Sequence, residues 1–270
     1  MSNLPLVIDP DQLESIINSE NTILIDMCKP EQYGKGHIEG AIYLDYPMII
    51  SGEKPVMGRL PTIEKLNQAM SSIGLTEDTH VIAYDDEGGG KAARLVWTLH
   101  CLGHFKASIL DGGLVNWANE GRALSIETTT ATPSDYQGNL SEDYLVHRAY
   151  ITKNLNNDNM ALLDARSIQE YTGEKAFAAR GGHIPGAIRY EWTDTMDKEH
   201  GMKLLPDDVI QKSLIDLGFT KDKEVICYCH THHRSALSYL VLKKLGYSNV
   251  KGYPSSWSDW GNQPDTPIET

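Results

Sequence analysis

The chain has 270 residues, 40% of them apolar, and a formal net charge of −13. That length suits one large or two ordinary globular domains. The acidic balance argues against a nucleic acid as partner, because phosphate backbones attract basic proteins. No apolar run approaches the roughly 20 residues that span a bilayer, so we do not expect a membrane protein.

The N-terminal residues and the cysteines bear on the compartment. The chain does not start with a basic region followed by a long apolar core, so no secretory signal is visible. The four cysteines are irregularly spaced and do not resemble a disulfide framework; they are Cys28, Cys101, Cys227 and Cys229. We therefore expect a cytoplasmic protein, in which a nucleophilic thiol would survive.

The first half of the chain alternates helices and strands. The predicted elements are a helix capped by Asp9, a strand at 23–25, a helix between Thr62 and Gly74, a strand at 81–84 and a helix at 91–102. The second half repeats this order. Strands alternating with helices indicate an α/β fold with a mostly parallel sheet.

An internal repeat decides the domain count. Three pairs of segments match in the same order: 36–41 with 182–187, 60–85 with 205–229, and 112–117 with 252–257. The stretch between the copies is rich in Thr, Ser, Pro and Asp and has little periodicity, which is typical of a connector. We predict an N-terminal domain over residues 1–124, a linker over 125–142 and a C-terminal domain over 143–270.

One stretch of the second half combines the features of a reactive site. Residues 224–228 are mostly apolar or β-branched, which predicts a buried strand, and a helical period runs from Ser235 to a stop at Gly246. Cys229 lies on the tight loop between them, where backbone N–H groups and the helix dipole favour an anion. With Arg234 nearby, its thiol pKa should fall, which makes Cys229 a candidate nucleophile.

The repeat supplies an internal comparison for that cysteine. Asp85 stands where Cys229 stands, and a carboxylate cannot act as a sulfur nucleophile. We therefore predict that the N-terminal domain is catalytically inactive and that chemistry belongs to the C-terminal one. Cys227, Cys28 and Cys101 are interpreted as structural. His37 and His183 occupy matched repeat positions, so both are interpreted as structural turn residues.

These residues together resemble the tandem-domain rhodaneses, sulfurtransferases that carry sulfane sulfur as a cysteine persulfide. The resemblance rests on the Asp-Ala-Arg run ending at Arg166, the segment 182–187, the loop Cys-His-Thr-His-His-Arg from Cys229 and the segment 252–257, and it covers nearly the whole chain. It implies two rhodanese-like domains and sulfur transfer from a donor such as thiosulfate to a thiophilic acceptor such as cyanide, a thiol or a protein. It implies no cofactor beyond the covalent persulfide. The loop differs from the family's Cys-Arg-Lys-Gly and Cys-Gly-Ser-Gly forms, which leaves the physiological donor open.

Roles follow for the residues around the nucleophile. We expect the loop to stabilise the persulfide anion through its N–H groups; it comprises His230, Thr231, His232, His233, Arg234 and Ser235. Arg234 either anchors the loop or faces the anion. Arg180 is the candidate to contact an anionic donor, with a solvated surface arginine as the alternative, because a guanidinium forks onto sulfonate-like oxygens.

Two further substrate-binding candidates have structural alternatives. Arg166 would contact the donor or simply pair with Asp164, and Trp192 would line the cleft or lie in the core. We expect no metal, because adjacent histidines on a tight loop seldom point at one centre. The loop histidines are expected either to shape the loop or to tune proton transfer.

Two other functions compete with sulfur transfer. Cys-based phosphatases and arsenate reductases of related fold use a loop with five residues between Cys and Arg, whereas only four separate Cys229 from Arg234. The shorter loop predicts a pocket for one sulfur rather than a tetrahedral oxyanion. The second alternative is a non-catalytic rhodanese-like binding module, against which the presence of Cys229 argues.

Overall fold

The computed structural model describes residues 4–270, so the first three residues of the predicted N-terminal domain lie outside it. The chain divides into two compact units. Unit 1 comprises residues up to 49 together with 61–141 and 196–204. Unit 2 comprises residues 50–60, 142–195 and 205–270. Each unit thus includes a short segment from the other half of the sequence, and residues 125–141 of the predicted linker belong to unit 1.

The first half of the chain has seven strands and five α-helices among the described residues. In order they are β1 (Val7–Ile8), α1 (Pro10–Ile16), β2 (Thr22–Asp26), α2 (Pro30–Lys35), β3 (Ile42–Tyr43), β4 (Ser51–Glu53), β5 (Val56–Arg59), α3 (Ile63–Ser72), β6 (His80–Tyr84), α4 (Gly90–Cys101), β7 (Ala107–Leu110) and α5 (Gly113–Asn119).

The second half continues with six strands and five α-helices. They are α6 (Arg148–Asn154), β8 (Met160–Asp164), α7 (Ile168–Tyr171), β9 (Ile188–Arg189), β10 (Met196–Asp197), β11 (Lys203–Leu204), α8 (Asp207–Asp216), β12 (Glu224–Tyr228), α9 (Arg234–Lys244), β13 (Val250–Gly252) and α10 (Ser256–Trp260).

The main predicted elements are confirmed. Asp9 caps α1 through a capping box, in which its carboxylate accepts from the N–H of Gln12 at 2.8 Å and its own N–H donates to the Gln12 side chain at 3.1 Å. The predicted strand at 224–228 is β12, and α9 ends before Gly246, whose φ of +84° suits a helix stop.

Each unit is built on a parallel sheet, as an α/β fold requires. The strand order is β1-β7-β6-β2-β3 in unit 1 and β13-β12-β8-β9 in unit 2, and every pairing in these two sheets is parallel. Helices cover the sheets and bury an apolar core in each unit. In each sheet the strand that leads to the Asp85 or Cys229 loop, β6 or β12, is an interior strand. Neighbouring strands therefore flank its carboxyl end on both sides.

Two short antiparallel pairs were not predicted from the sequence. The pair β4–β5 belongs to unit 2, and the pair β10–β11 belongs to unit 1. Their strands are two to four residues long and contain Gly and charged residues, so they show neither the period of two nor an apolar run. Sequence periodicity therefore missed the one element that crosses from the first sequence half into unit 2.

The predicted alignment of the last repeat segment was wrong by three residues. In unit 1 the register pairs Ala83 with Ile109, and in unit 2 it pairs Cys227 with Gly252. Counting forward from there, Gly113 corresponds to Ser256, and both begin a helix with a left-handed φ, +54° and +46°. Trp117 consequently matches Trp260 rather than Trp257, because Gly252 lies within β13 and matches Ile109 of β7, not Gly112.

Candidate active site

Cys229 directly follows the central strand β12, and α9 begins five residues later at Arg234. The cysteine is buried, with 1% of its surface exposed, whereas His230, Thr231 and His233 of the same loop are half-buried. The loop therefore reaches the surface of unit 2 while holding its sulfur inside. Such a thiol is reached by a small reacting atom more readily than by a bulky group.

The surroundings of the sulfur are polar, and they shift its acidity. Burial raises the pKa of the Cys229 thiol, but the Arg234 charge, the Ser235 hydroxyl and the backbone N–H groups of Ser235 and Thr231 outweigh it and lower the pKa to about 7. About half of the thiol is then ionised at neutral pH. This is the electrostatic setting of a nucleophile rather than of an inert core cysteine.

Arg234 combines the two roles that the sequence left open. Its guanidinium makes a two-point ion pair with Glu170, with Nη1–Oε2 at 2.6 Å and Nη2–Oε1 at 2.8 Å. Glu170 in turn belongs to a capping box with Ser167 at the start of α7. The arginine is thereby anchored, while its charge still favours the Cys229 thiolate.

Ser256, the first residue of α10, hydrogen-bonds to the backbone of the cysteine. The Ser256 hydroxyl accepts from the N–H of Cys229 at 3.2 Å and donates to the carbonyl of Tyr253 at 2.7 Å. Next to it, the backbone N–H of Trp257 donates to the Cys229 carbonyl at 3.1 Å. Both backbone polar groups of Cys229 are thus held by the start of α10, which sets the direction of its side chain.

The three loop histidines have separate surroundings. His232 is buried, and its Nδ1 lies 2.7 Å from the Ser235 hydroxyl. The His230 ring lies 5.8 Å from the Phe177 ring, and the His233 ring lies 6.1 Å from that of Trp192. Across residues 4–270 no group of three or more His, Cys, Asp or Glu side chains is arranged to hold a metal ion.

The pKa of the His230 imidazole is lowered. Burial lowers its pKa, and the nearby Arg234 charge lowers it further. The imidazole is therefore neutral at physiological pH, and its Nδ1 has no hydrogen-bond partner among the described residues.

The structure places the two arginines proposed to bind substrate in structural contacts. Arg166 is buried and pairs with Asp164 through Nε at 2.9 Å and Nη2 at 2.5 Å, with a further bond to the Gly182 carbonyl at 2.8 Å. It therefore takes the alternative role stated above, pairing with Asp164. Buried behind these bonds, its guanidinium is not available to a donor in this conformation.

Arg180 is also engaged. Its Nη1 donates to the carbonyl of Thr266 at 2.8 Å, and its Nη2 donates to the carbonyls of Trp260 and Gln263 and to the Thr266 hydroxyl. It is neither a solvated arginine nor one directed at an anion, so this geometry does not support the expected contact with the donor. The side chain ties its loop to the C-terminal segment.

Trp192 begins a short 3₁₀ helix beside the site. Its backbone N–H donates to the carbonyl of Ala165 at 3.3 Å, and its half-buried ring lies 6.1 Å from that of His233. It is therefore a neighbour of the Cys229 loop rather than a residue of the core.

The matched loop of unit 1 has the same architecture around a carboxyl group. The Asp85 carboxylate is fully buried and accepts from the N–H groups of Glu87 at 3.0 Å, Gly89 at 2.8 Å, Lys91 at 2.8 Å and Ala92 at 3.0 Å. Two of these positions, 87 and 91, correspond to Thr231 and Ser235, whose N–H groups face the sulfur. The two loops are one type of amide cradle, and the carboxylate occupies it in unit 1.

The remaining cysteines and the matched histidines behave as structural residues. Burial raises the pKa of the Cys227, Cys101 and Cys28 thiols, which keeps them protonated. His37 stacks on Tyr33 with ring centroids 3.8 Å apart, and His183 stacks on Tyr171 at 3.6 Å. Each also contacts the carbonyl of that tyrosine through Nδ1, at 2.8 and 2.9 Å. These contacts support the structural interpretation of both histidines.

Sequence reasoning missed three parts of this site. Glu170 was detectable, because Ser167 and Glu170 form the S-x-x-E pattern of a capping box. Ser256 was hidden by the misaligned repeat segment. The β4–β5 pair, whose Gly58 lies against Thr231, had no periodic signal at all.

Comparison with known proteins agrees with this architecture. The sequence matches the rhodanese-like domain family twice, over residues 9–120 and 148–263. The chain therefore belongs to the rhodanese-like family, with one domain in each half. Both matches together span most of the chain, as the internal repeat and the two sheets require.

Relatives that are similar over most of this chain are named as sulfurtransferases or as a sulfur carrier protein. A thiosulfate sulfurtransferase of Azotobacter vinelandii is 41% identical over 268 residues, covering 99% of this chain and 98% of that protein. A protein of the same name from Pseudomonas aeruginosa is equally similar. The sulfur carrier protein TtuD of Thermus thermophilus is 33% identical, with coverage of 87% and 86%.

Solved structures confirm the fold. The anaerobic ergothioneine biosynthesis enzyme of Chlorobium limicola matches with a TM-score of 0.88, covering 98% of this chain and 70% of that one. A variant of the enzyme EanB in complex with ergothioneine gives 0.89. Identity is 22% in both, so these likenesses establish the fold and nothing about the reaction.

Proposed function

We propose that this protein is a sulfurtransferase that moves sulfane sulfur from a small donor such as thiosulfate to a thiophilic acceptor, through a persulfide on Cys229. The observation that carries the proposal is the Cys229 thiol, held in an amide cradle beside Arg234 with a pKa of about 7. Relatives named thiosulfate sulfurtransferase at 41% identity over the full chain support the donor class.

The first half-reaction loads the cysteine. The Cys229 thiolate attacks the outer sulfur of thiosulfate, the S–S bond of the donor breaks, and sulfite leaves with the bonding electron pair. The product is a cysteine persulfide anion. The N–H groups of Thr231 and Ser235 and the Ser235 hydroxyl, which face the thiolate, are the donors that stabilise this anion, because oriented N–H groups cost little reorganisation as charge moves.

The second half-reaction unloads it. A nucleophilic acceptor, cyanide in the simplest case, attacks the outer sulfur, the S–S bond to Cys229 breaks, and the thiolate is restored as thiocyanate leaves. A low-molecular-weight thiol or a protein thiol would accept the sulfur in the same way. No step needs a metal or an organic cofactor, so we propose that the persulfide is the only covalent carrier.

We assign the chemistry to the domain over residues 143–270 and propose that the domain over 1–124 does not transfer sulfur. Asp85 fills the unit 1 cradle with its own carboxylate and has no sulfur to offer. Within residues 4–270 no helix is long and apolar enough to cross a membrane.

The experiment that tests the proposal pairs two substrates. Thiosulfate with cyanide should yield thiocyanate, and Cys229→Ala should abolish it. A generic aryl phosphate should not be hydrolysed, because four rather than five residues separate Cys229 from Arg234. Cys229-dependent phosphatase turnover without thiocyanate would replace sulfur transfer by the phosphatase function, and no turnover with any sulfane donor would favour a binding module.

A further inference from the structure

Residues 51–59 form a hairpin, β4–β5, that sequence periodicity did not reveal. The hairpin belongs to unit 2. It comes from the first half of the sequence, before the catalytic domain begins. Its second strand nevertheless packs against α10 and against the loop that follows Cys229. Gly58 of this strand lies against the backbone of the amide cradle itself.

Gly58 is the closest of these residues. It is buried, with a φ of +85°, and a Cβ atom added to it would lie 2.6 Å from the Thr231 carbonyl oxygen, 2.8 Å from the Thr231 Cα and 2.7 Å from the Pro254 carbonyl oxygen. All three are backbone atoms, which cannot swing aside as a flexible side chain does. Only glycine therefore allows the hairpin to lie directly on the Thr231 backbone.

The neighbouring residue fixes the hairpin in that position. The Met57 N–H donates to the Ser258 hydroxyl oxygen at 3.1 Å, and that hydroxyl also lies 2.8 Å from the Met57 carbonyl oxygen. Ser258 is fully buried, and its own N–H donates to the carbonyl of His230 at 2.9 Å. Met57 and Gly58 thus hold, through Ser258 and directly, the two residues that follow Cys229.

We propose that Gly58 is a positioning residue for sulfur transfer: the hairpin presses on the Thr231 backbone and keeps its N–H directed at the Cys229 sulfur. This rests on the proposed function for its catalytic consequence, but not for its effect on the thiolate. The Thr231 N–H, like that of Ser235, hydrogen-bonds to this sulfur and favours its anionic form. Hydrogen bonds to a charged acceptor are among the stronger ones, so displacing one donor should destabilise the thiolate and raise the pKa of the thiol.

A matched pair of variants separates this role from the backbone strain of the substitution. Gly58→Ala introduces a side chain at φ +85° against the Thr231 backbone, whereas Gly218→Ala does so at φ +87° with nothing within 4 Å. Both pay the same cost of a left-handed alanine. Only the first should displace the cradle.

The readouts are the pH profile of Cys229 alkylation by iodoacetamide and the rate of thiocyanate formation. For Gly58→Ala we expect the midpoint of alkylation to rise by about one pH unit, and sulfur transfer to fall about 10- to 100-fold, as a misplaced catalytic group does. For Gly218→Ala we expect the wild-type midpoint and a rate within about twofold of wild type. Equal profiles and rates for the two variants would overturn the inference.

Ser258→Ala keeps the proposal testable if Gly58→Ala does not fold. It removes the hydroxyl that holds Met57 but leaves the N–H that binds His230, and we expect it to raise the alkylation midpoint in the same direction. An unchanged midpoint in a folded Ser258→Ala protein would count against the hairpin. If wild-type protein forms no thiocyanate, the proposed function fails, whereas the alkylation profiles still decide whether Gly58 positions the thiolate.

Discussion

The hydroxyl of Ser256 accepts a hydrogen bond from the N–H of Cys229 at 3.2 Å, at the position where unit 1 has Gly113. Ser256 adopts a left-handed φ of +46°, a conformation that costs a non-glycine residue roughly 1 kcal/mol. Unit 1, which has Asp85 in place of the cysteine, has glycine there and avoids that cost. The serine exchanges some stability for a fixed cysteine backbone.

This relationship predicts that substitution of Ser256 by glycine lowers activity while leaving stability nearly unchanged. Ser256→Gly relieves the backbone strain but removes an acceptor worth about 1 kcal/mol, so the free energy of unfolding should change by less than about 1 kcal/mol. Sulfur transfer should nevertheless fall several-fold, because the Cys229 N–H loses its partner. Ser256→Ala keeps the strain and should be less stable than Ser256→Gly by about 1 kcal/mol. Denaturant unfolding and thiocyanate rates check both; full activity in Ser256→Gly would show that the hydroxyl is dispensable.

The shifted thiol predicts selective alkylation. Cys229 has a pKa of about 7, while burial raises the pKa of the other three thiols. At pH 7.5 or so iodoacetamide should modify Cys229 far faster than any other cysteine, with a rate that rises through a midpoint near its pKa and then levels off. Peptide mapping by mass spectrometry checks the site. Equal labelling of Cys227 would contradict the assigned electrostatics.

The same shift links stability to pH. Folding lowers the Cys229 pKa from its ordinary value of 9.0 to about 7, so the folded state favours the thiolate. Its contribution is fully present above pH 9 and is lost as the pH falls through 7. Relative to Cys229→Ser, wild-type protein should therefore gain about 2 kcal/mol between pH 6 and pH 9. Parallel unfolding curves of the two proteins at several pH values check this; a constant difference would mean that the thiol is not shifted.

Arg234 should matter more as a fixed charge than as a packing residue. Arg234→Ala removes the charge that favours the thiolate and should move the Cys229 pKa back toward its ordinary value. At pH 7 the thiolate fraction, and with it the transfer rate, should fall roughly 10- to 50-fold, with most of the loss recovered near pH 9.

Glu170→Gln supplies the control for that variant. It leaves the Arg234 charge in place but replaces the carboxylate that anchors it at 2.6 and 2.8 Å by a neutral amide. Its pH profile should keep a midpoint near or below that of wild type. A raised midpoint in Glu170→Gln, equal to that of Arg234→Ala, would show that the ion pair rather than the charge sets the acidity.

Asp85, whose side chain fills the unit 1 cradle, should contribute to the stability of the fold but not to sulfur transfer. Asp85→Ala leaves four N–H groups, two of them buried, without their acceptor and should lower the free energy of unfolding by about 3 kcal/mol. Asp86→Ala removes only a long ion pair with Lys91 at 3.9 Å and should cost less than about 1 kcal/mol. Both folded variants should keep the wild-type transfer rate. A loss of activity in folded Asp85→Ala would assign that loop a catalytic part.

Much of this fold was predictable because each signal is local. The apolar strand, the loop and the helical period around Cys229 lie within one short stretch, and the Asp9 capping box lies within four residues. Glu170 was missed although its pattern is local, because nothing in the sequence says that Arg234 reaches it. Arg180 is predicted to contact the sulfur donor, because a sequence does not show the backbone carbonyls that bind its guanidinium. Gly58 was beyond prediction, since a contact with Thr231 depends on a chain crossing that has no periodic signature.

The most direct test of the central claim is the intact mass of the protein after incubation with thiosulfate, with and without later addition of cyanide. We predict a gain of one sulfur atom, its complete loss on adding cyanide, and no gain in Cys229→Ala. A sulfur that persists in Cys229→Ala, or a wild-type protein whose mass does not change with thiosulfate or any other sulfane donor, would contradict the account.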